Sequence, residues 1–197
     1  MIGLSGGINS MAVLCWLGEL PEAQRPEELH LFYADFKEHS PDTIQFVLDG
    51  QFWARGRFKK VVYTQTDNSV MDFFEENDFI PHPTNAKCSV TLKIEPMLKY
   101  AYQNDIQIDL IGYVAKEVAR AKRALKAGQN DMFFQKAFPI LGKDDNWCFE
   151  IVDRCIGWHP GIYDIMDEKG KRVFTHNNCL PCKNMTPKQL QAVATYY

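Results

Sequence analysis

The sequence predicts an α/β fold, a doubly wound parallel sheet in one domain. Two observations carry that prediction. Apolar runs of strand length recur at residues 1–4, 29–34, 60–66 and 106–113. Segments with apolar residues at helical spacing separate them, which is the alternation of a parallel sheet. A third observation marks where such a sheet would work: the first run passes into the first helix through Ser5-Gly6-Gly7-Ile8-Asn9-Ser10.

Paired glycines let the chain turn sharply and leave backbone open to a ligand. Behind them Ile8, Met11, Leu14 and Cys15 share a helical face, and Gly18 and Pro21 end the helix. A strand, a glycine turn and a helix N-terminus together present N–H groups and positive potential to an anion. Ser5 and Ser10 add hydroxyl donors, so a phosphate or pyrophosphate is the expected occupant. Neither the G-x-x-x-x-G-K-[ST] nor the G-x-G-x-x-G loop is present.

The second run, Leu29 to Ala34, reads as a buried parallel strand that ends at Asp35, where open α/β sheets bind ligands. Ser40-Pro41-Asp42 starts the next helix, with Ile44, Val47, Leu48 and Phe52 as its expected buried stripe. Lys60 to Thr66 is the third strand. Ser69 and Asp72 form a capping pair for a helix reaching about Asp78. Pro81-His82-Pro83-Thr84-Asn85 is irregular, and beyond Cys88 a helix runs through Met97, Tyr100 and Ala101. Ile106 to Tyr113 is the fourth strand. Val114, Val118, Ala121 and Leu125 then share a helical face, with Lys116, Glu117, Arg120 and Arg123 on its flank. Cys148 and Cys155 sit at helical spacing with Trp147, Ile151 and Val152, and like Cys15 they read as small core residues. Thr186-Pro187 opens the last helix, with Leu190, Val193 and Ala194 packing inward.

A chain of 197 residues suffices for one domain with a full core. The net charge of -3 gives no global attraction to nucleic acid or an anionic membrane. No apolar run approaches the ~20 residues of a membrane span. The first strand begins at once, so no signal peptide is expected and the protein is placed in the cytoplasm.

His176-x-x-Cys179-x-x-Cys182 is a second chemical signal. A Cys-x-x-Cys pair lets two thiolates hold one ion from a tight turn, and Pro181 suits that turn. A redox role would need this pair to open a helix in a thioredoxin-like context, which the sequence lacks.

Ser5 to Ser10 resembles the S-G-G-x-D-S signature of the PP-loop (ATP pyrophosphatase, adenine nucleotide alpha-hydrolase) superfamily, with Asn9 at the usual Asp. Further matches resemble its phosphoadenosine phosphosulfate (PAPS) reductase-like branch. Pro41-Asp42-Thr43 stands for Pro-Glu-Thr. Cys88, Leu92, Lys93 and Pro96 match Cys-x-x-x-Leu-Lys-x-x-Pro. Gly112, Glu117 and Arg120 match Gly-x-Arg-x-x-Glu-x-x-Arg, with Val114 at the first Arg. Pro160 and Tyr163 match a late Pro-x-x-Tyr.

This resemblance implies cleavage of ATP between its α and β phosphates and transfer of AMP to an acceptor. Lys93, Lys116 and Arg120 are then candidate cations, and Gly112 and Glu117 belong to the nucleotide site. Asp35 is a candidate ligand for Mg²⁺. Asn9 brings no negative charge to a metal. The resemblance also implies Cys88 as the partner of Cys179 and Cys182, holding either an iron–sulfur cluster with an open position or a zinc ion closed by His176, with His82 the weaker alternative. The core then covers about residues 1–140 and a metal-binding or lid segment about 141–197.

The expected activity is adenylation of a nucleic-acid or small-molecule acceptor, with a sulfur donor as a further partner for sulfur insertion. Two alternatives remain open. One is a sulfonucleotide reductase, although the C-terminal Glu-Cys-Gly-Leu-His segment of thioredoxin-dependent PAPS reductases is missing. The other is a nucleotide-binding accessory protein with a structural zinc. The branch also implies a homodimer.

Overall fold

Among the described residues, one sheet of five strands, every pairing parallel, runs in the order β3-β2-β1-β4-β5. The strands are β1 (Ile2–Leu4), β2 (Glu28–Phe36), β3 (Lys60–Asn68), β4 (Ile108–Leu110) and β5 (Gln135–Ala137). The structure is a computed structural model that describes residues 1–78, 87–128, 134–177, 179, 180, 182 and 184–197. Pro81 to Asn85, with His82, and Pro181 lie outside these residues.

The winding sets the site. From β1 the chain moves outward to β2 and β3, then returns to the other side of β1 for β4 and β5. Connections leave β1 and β4 in opposite directions, so a crevice opens above their carboxyl ends. β1 pairs Ile2 with Leu31 on one side and with Leu110 on the other.

Helix α1 (Ile8–Glu19) follows β1 and is buried nearly all round, from Ile8 through Leu17, because α2 (Thr43–Arg55) and α7 (Asp145–Ile156) pack beside it. α3 (Val70–Glu76) is capped as expected, Ser69 accepting from the Asp72 N–H at 3.1 Å. A short helix α4 (Lys87–Ser89) and a π-turn (Val90–Ile94) lead into α5 (Glu95–Gln103). α6 (Val118–Gly128), α7 and α8 (Pro187–Tyr196) complete the fold. Among the described residues no helix is long and apolar enough to cross a membrane.

Several expectations shift. The buried stripe of α2 is Thr43, Phe46, Val47, Gly50 and Ala54, while Leu48 is 38% and Phe52 79% exposed. Gly50 explains the phase: a Cβ there would meet the Met11 side chain at 2.5 Å, so α2 touches α1 along its small residues. The helix begins at Thr43 without a side-chain cap; Asp42 instead accepts the Gly161 N–H at 2.6 Å. The fourth strand is shorter than its apolar run, since β4 pairs only over Ile108–Leu110. β5, a Gln-Lys-Ala edge strand, carries no apolar run to announce it. Ser69 and the final Thr186 cap behave as the sequence indicates, the latter in a full capping box with Gln189.

Candidate functional site

The crevice above β1 and β4 is a cavity of about 600 Å³, and the glycine turn forms one wall. Gly6 adopts φ +68°, and a Cβ on it would lie 2.2 Å from Thr43 Cγ2. Only glycine fits both the angle and the space. The Gly6 carbonyl accepts from Asn177 Nδ2 at 2.9 Å, and the same amide donates to Thr43 Oγ1 at 2.7 Å. Gly7 is the N-cap of α1 and supplies no side chain to its N–H groups. Ser5 and Ser10 hydroxyls meet at 3.2 Å, and Ser10 Oγ donates to the Gly7 carbonyl at 3.0 Å.

The first helical amide has its partner elsewhere. Ile8 N–H donates to the Tyr163 hydroxyl at 3.2 Å, and Tyr163 is fully buried, which pushes its phenol up to about 12. Asn9 and Ser10 line the cavity with their stretch of helix N-terminus, and α1 carries no acid in its first turn to neutralise it. Gly112 closes the opposite wall. A Cβ there would stand 2.6 Å from the Asn9 carbonyl oxygen, so the backbone after β4 touches the start of α1.

Charge enters from two sides. Lys93 lines the cavity from the π-turn, its ammonium 4.6 Å from the Phe36 ring centroid. Such turns recur at functional sites. Arg120 lines it from α6, paired with Glu117 and 4.7 Å over the Tyr113 ring. Buried Glu117 also accepts from the Val114 N–H at 3.3 Å and from Asn9 Nδ2 at 3.5 Å. Among the described residues, buried Asn9 Oδ1 has no hydrogen-bond partner.

This structure is similar to "phosphoadenylyl-sulfate (PAPS) reductase from Candida auris, phosphate complex", with a TM-score of 0.52. The match covers 82% of this chain and 75% of that one at 12% identity. The fold is PAPS reductase-like. No family model and no curated protein matches the sequence.

Within this PAPS reductase-like fold the segments singled out in the sequence converge. Ser5, Gly7, Asn9, Ser10, Lys93, Gly112, Glu117, Arg120, Tyr163 and His176 all line the cavity, while Gly6 stands behind its wall against Thr43. Two expected residues are elsewhere. Lys116 turns to an ion pair with Asp145 on α7. Asp35 lies within β2, on the far side of β1 from β4. There it accepts from Tyr33 Oη and the Phe36 N–H at 2.9 Å and from Gln65 Nε2 at 3.0 Å.

The cysteine segment divides. Cys179 is buried among Phe32, Ala34, Phe36 and Val70, with Cys88 half-buried against the same cluster. Burial pushes the Cys179 thiol up to about 11. His176 faces the cavity instead, its imidazole pulled down chiefly by desolvation. Among the described residues no three His, Cys, Asp or Glu side chains gather to hold one ion. Cys88 and Cys182 lie near enough to Cys179 for their charges to raise its thiol further. Cys15 and Cys148 are buried as expected, and Cys155 is half-buried with its thiol 3.5 Å from Glu19.

Sequence reasoning missed the supports of the loop. Tyr163 stood only in a Pro-x-x-Tyr match, and Thr43 only in a helix cap. Asn177 carried no signal, because an isolated amide in an irregular segment looks like any loop residue. Asp109, which also lines the cavity, had one: a carboxylate within an otherwise apolar strand.

Proposed function

We propose that the chain is an enzyme that binds ATP in this cavity, cleaves it between the α and β phosphates and adenylates an acceptor. The carrying observation is the N-terminus of α1, with no cap from Gly7 and no acid in its first turn, behind a glycine turn and at the topological switch point, with Lys93 and Arg120 lining the same cavity. That arrangement suits a polyphosphate in charge, shape and position.

Each residue then has a role. The Ser5 hydroxyl and the amides at the start of α1 hold the pyrophosphate end. Lys93 and Arg120 neutralise charge that develops on the leaving pyrophosphate as the acceptor oxygen attacks phosphorus in line. Glu117 keeps Arg120 turned to the site. A nucleotide of this kind carries Mg²⁺, which neutralises phosphate oxygens. The unpartnered Asn9 Oδ1 beside Glu117 fits such an ion as a neutral oxygen ligand, a place that Asp35 does not reach.

The test incubates the protein with ATP and Mg²⁺, alone and with RNA, DNA or small-molecule acceptors, and separates the products. Pyrophosphate and an adenylated acceptor are expected, with free AMP where water takes the acceptor's place, and pyrophosphate formation drops at least tenfold in Lys93→Ala. Release of ADP and phosphate overturns the reading. So does sulfite release from PAPS or adenosine phosphosulfate, a reaction for which no cysteine lines the cavity among the described residues.

A further inference from the structure

Away from the cavity, two thiols face each other where α7 packs on α1. Ala12, Cys15 and Glu19 follow one another on α1 at helical spacing, as Cys148, Ile151 and Cys155 do on α7, so each set shares one face. The Cys155 thiol donates to Glu19 Oε1 at 3.5 Å. Cys15 lies one turn before Glu19, and its thiol is hydrogen-bonded to that of Cys155. Arg154 fixes the Glu19 carboxylate with two bonds, from Nε at 2.9 Å and from Nη2 at 2.7 Å.

The direction of these bonds decides which sulfur reacts. Arg154 holds the Glu19 carboxyl below the usual carboxylate range, so Glu19 is ionised and accepts. Cys155 gives its hydrogen to Glu19, and its sulfur accepts from the Cys15 S–H. Once Cys155 ionises, that donor stabilises the thiolate, and the contact holds the Cys155 thiol below its ordinary value. The same contact, with burial, pushes the Cys15 thiol far up. Cys155 is half-buried and Cys15 fully buried. The pair is thus a reachable nucleophile with a second thiol directly behind it, the arrangement of a peroxide-reactive cysteine and its resolving partner.

We propose that Cys15 and Cys155 are a redox modification site, closing on contact with a hydroperoxide into a reversible disulfide that staples α1 to α7. The Cys155 thiolate attacks the terminal peroxide oxygen. An S–O bond forms, the O–O bond breaks, and the leaving alkoxide takes the proton that Glu19 received from Cys155. The Cys15 sulfur then attacks the sulfenic sulfur of Cys155. The S–S bond forms, the S–O bond breaks, and the Cys15 hydrogen leaves with the hydroxyl as water. Two electrons pass from the two sulfurs to the peroxide, which ends as an alcohol and water, or as two waters from hydrogen peroxide. A thiol reductant reopens the bond by exchange. The staple joins positions 15 and 155, and a bridge across so long a loop restricts the unfolded chain strongly.

The experiment treats the full reduced chain with hydrogen peroxide, alkylates it in denaturant and maps the peptides by mass spectrometry. A cross-linked peptide pair carrying Cys15 and Cys155, two hydrogens lighter than the free peptides and split by dithiothreitol, is expected. Cys148, on the same helix with its thiol pushed up to about 12 by burial, is expected to stay open to alkylation and serves as the internal control. The urea midpoint of the oxidised protein is expected to rise and to return on reduction. In Cys155→Ser the rise is lost and Cys15 stays a thiol. Cys15 and Cys155 both remaining open to alkylation after peroxide overturns the proposal, whatever the other cysteines do, and that result needs no variant. A stable dimedone adduct on Cys155 of the unaltered protein overturns it too, since Cys15 would then not resolve the sulfenic acid. Equal urea midpoints for the oxidised unaltered protein and oxidised Cys155→Ser overturn the staple.

Discussion

Asn9 donates its side-chain amide to Glu117 across 3.5 Å, at the position where the resembled family carries an aspartate. Glu117 is buried and already holds Arg120, so an aspartate at 9 would set two carboxylates against each other. Like charges at this separation disfavour joint ionisation. Asn9→Asp is therefore expected to lower stability by about 1–3 kcal/mol without divalent ions and to recover much of that loss in millimolar Mg²⁺. Thermal unfolding with and without Mg²⁺ checks it. A variant insensitive to Mg²⁺ would show that the pair does not face a metal position.

The glycine turn makes a sharper prediction. At φ +68° an alanine at position 6 suffers backbone strain of about 1–2 kcal/mol, and its Cβ also collides with Thr43 Cγ2. Thr43→Ser removes that methyl group and keeps the Oγ that accepts from Asn177. Gly6→Ala is expected to lose several kcal/mol, and Gly6→Ala with Thr43→Ser to recover the steric part while retaining the strain. Urea denaturation of the two single variants and the double variant separates the terms.

Tyr163→Phe keeps the ring and removes the hydroxyl that accepts the Ile8 N–H. An unpaired buried amide costs about 1–3 kcal/mol. Because that amide opens the phosphate-facing helix, ATP affinity is expected to fall with stability. Equilibrium unfolding together with ATP titration reads both. Loss of stability alone would make Tyr163 a core residue only.

The sheet and the glycine turn were legible because both are local. Apolar strand runs mark β1, β2 and β3, and Gly6 and Gly7 declare a turn wherever they stand. The phase of α2 was not legible, because Leu48 and Phe52 are as apolar as Phe46; the close approach of Gly50 to Met11 decides which of them is buried. β5 hides in a polar edge segment. Lys93, Glu117 and Arg120, singled out by their spacing in matched segments, all line the cavity. Lys116, one residue from Glu117, was assigned with them, but it points at Asp145 from the opposite side of the turn. Asp35 stands near the carboxyl end of β2, one strand from the switch point, and its carboxylate is engaged by Tyr33, Phe36 and Gln65 instead of lining the cavity. Cys88 and Cys179 do meet, although in an apolar cluster.

That cluster orders the reactivity of the thiols. Burial holds Cys179 as a thiol up to about 11, whereas Cys88 and Cys182 are only half-buried. Thiolate is the reactive form. Iodoacetamide at pH 7.5 is expected to modify Cys88 and Cys182 well before Cys179, as read by peptide mass spectrometry over time. Simultaneous protection of all three by one equivalent of Zn²⁺ would instead show that they can rearrange into a metal site.

Two buried groups oppose each other in the acid range. Burial pushes His39 down to about 3 from its usual 6.5, so between those values the unfolded chain takes up a proton that the folded one refuses. Stability then falls as pH falls, by about 1.4 kcal/mol per pH unit at full effect. Asp109 is raised by burial to about 6 from 3.8, so between those values the folded chain binds the extra proton and stability rises as pH falls. The two contributions cancel over roughly pH 4 to 6. Asp109→Asn removes the raised group, so it is expected to be more stable than the unaltered protein at pH 7, by about 2–3 kcal/mol. It is also expected to lose that advantage steadily on acidification toward pH 4. Urea unfolding at half-unit pH steps measures both slopes. Parallel curves for the two proteins would mean that Asp109 is not held as a raised carboxyl in the folded state.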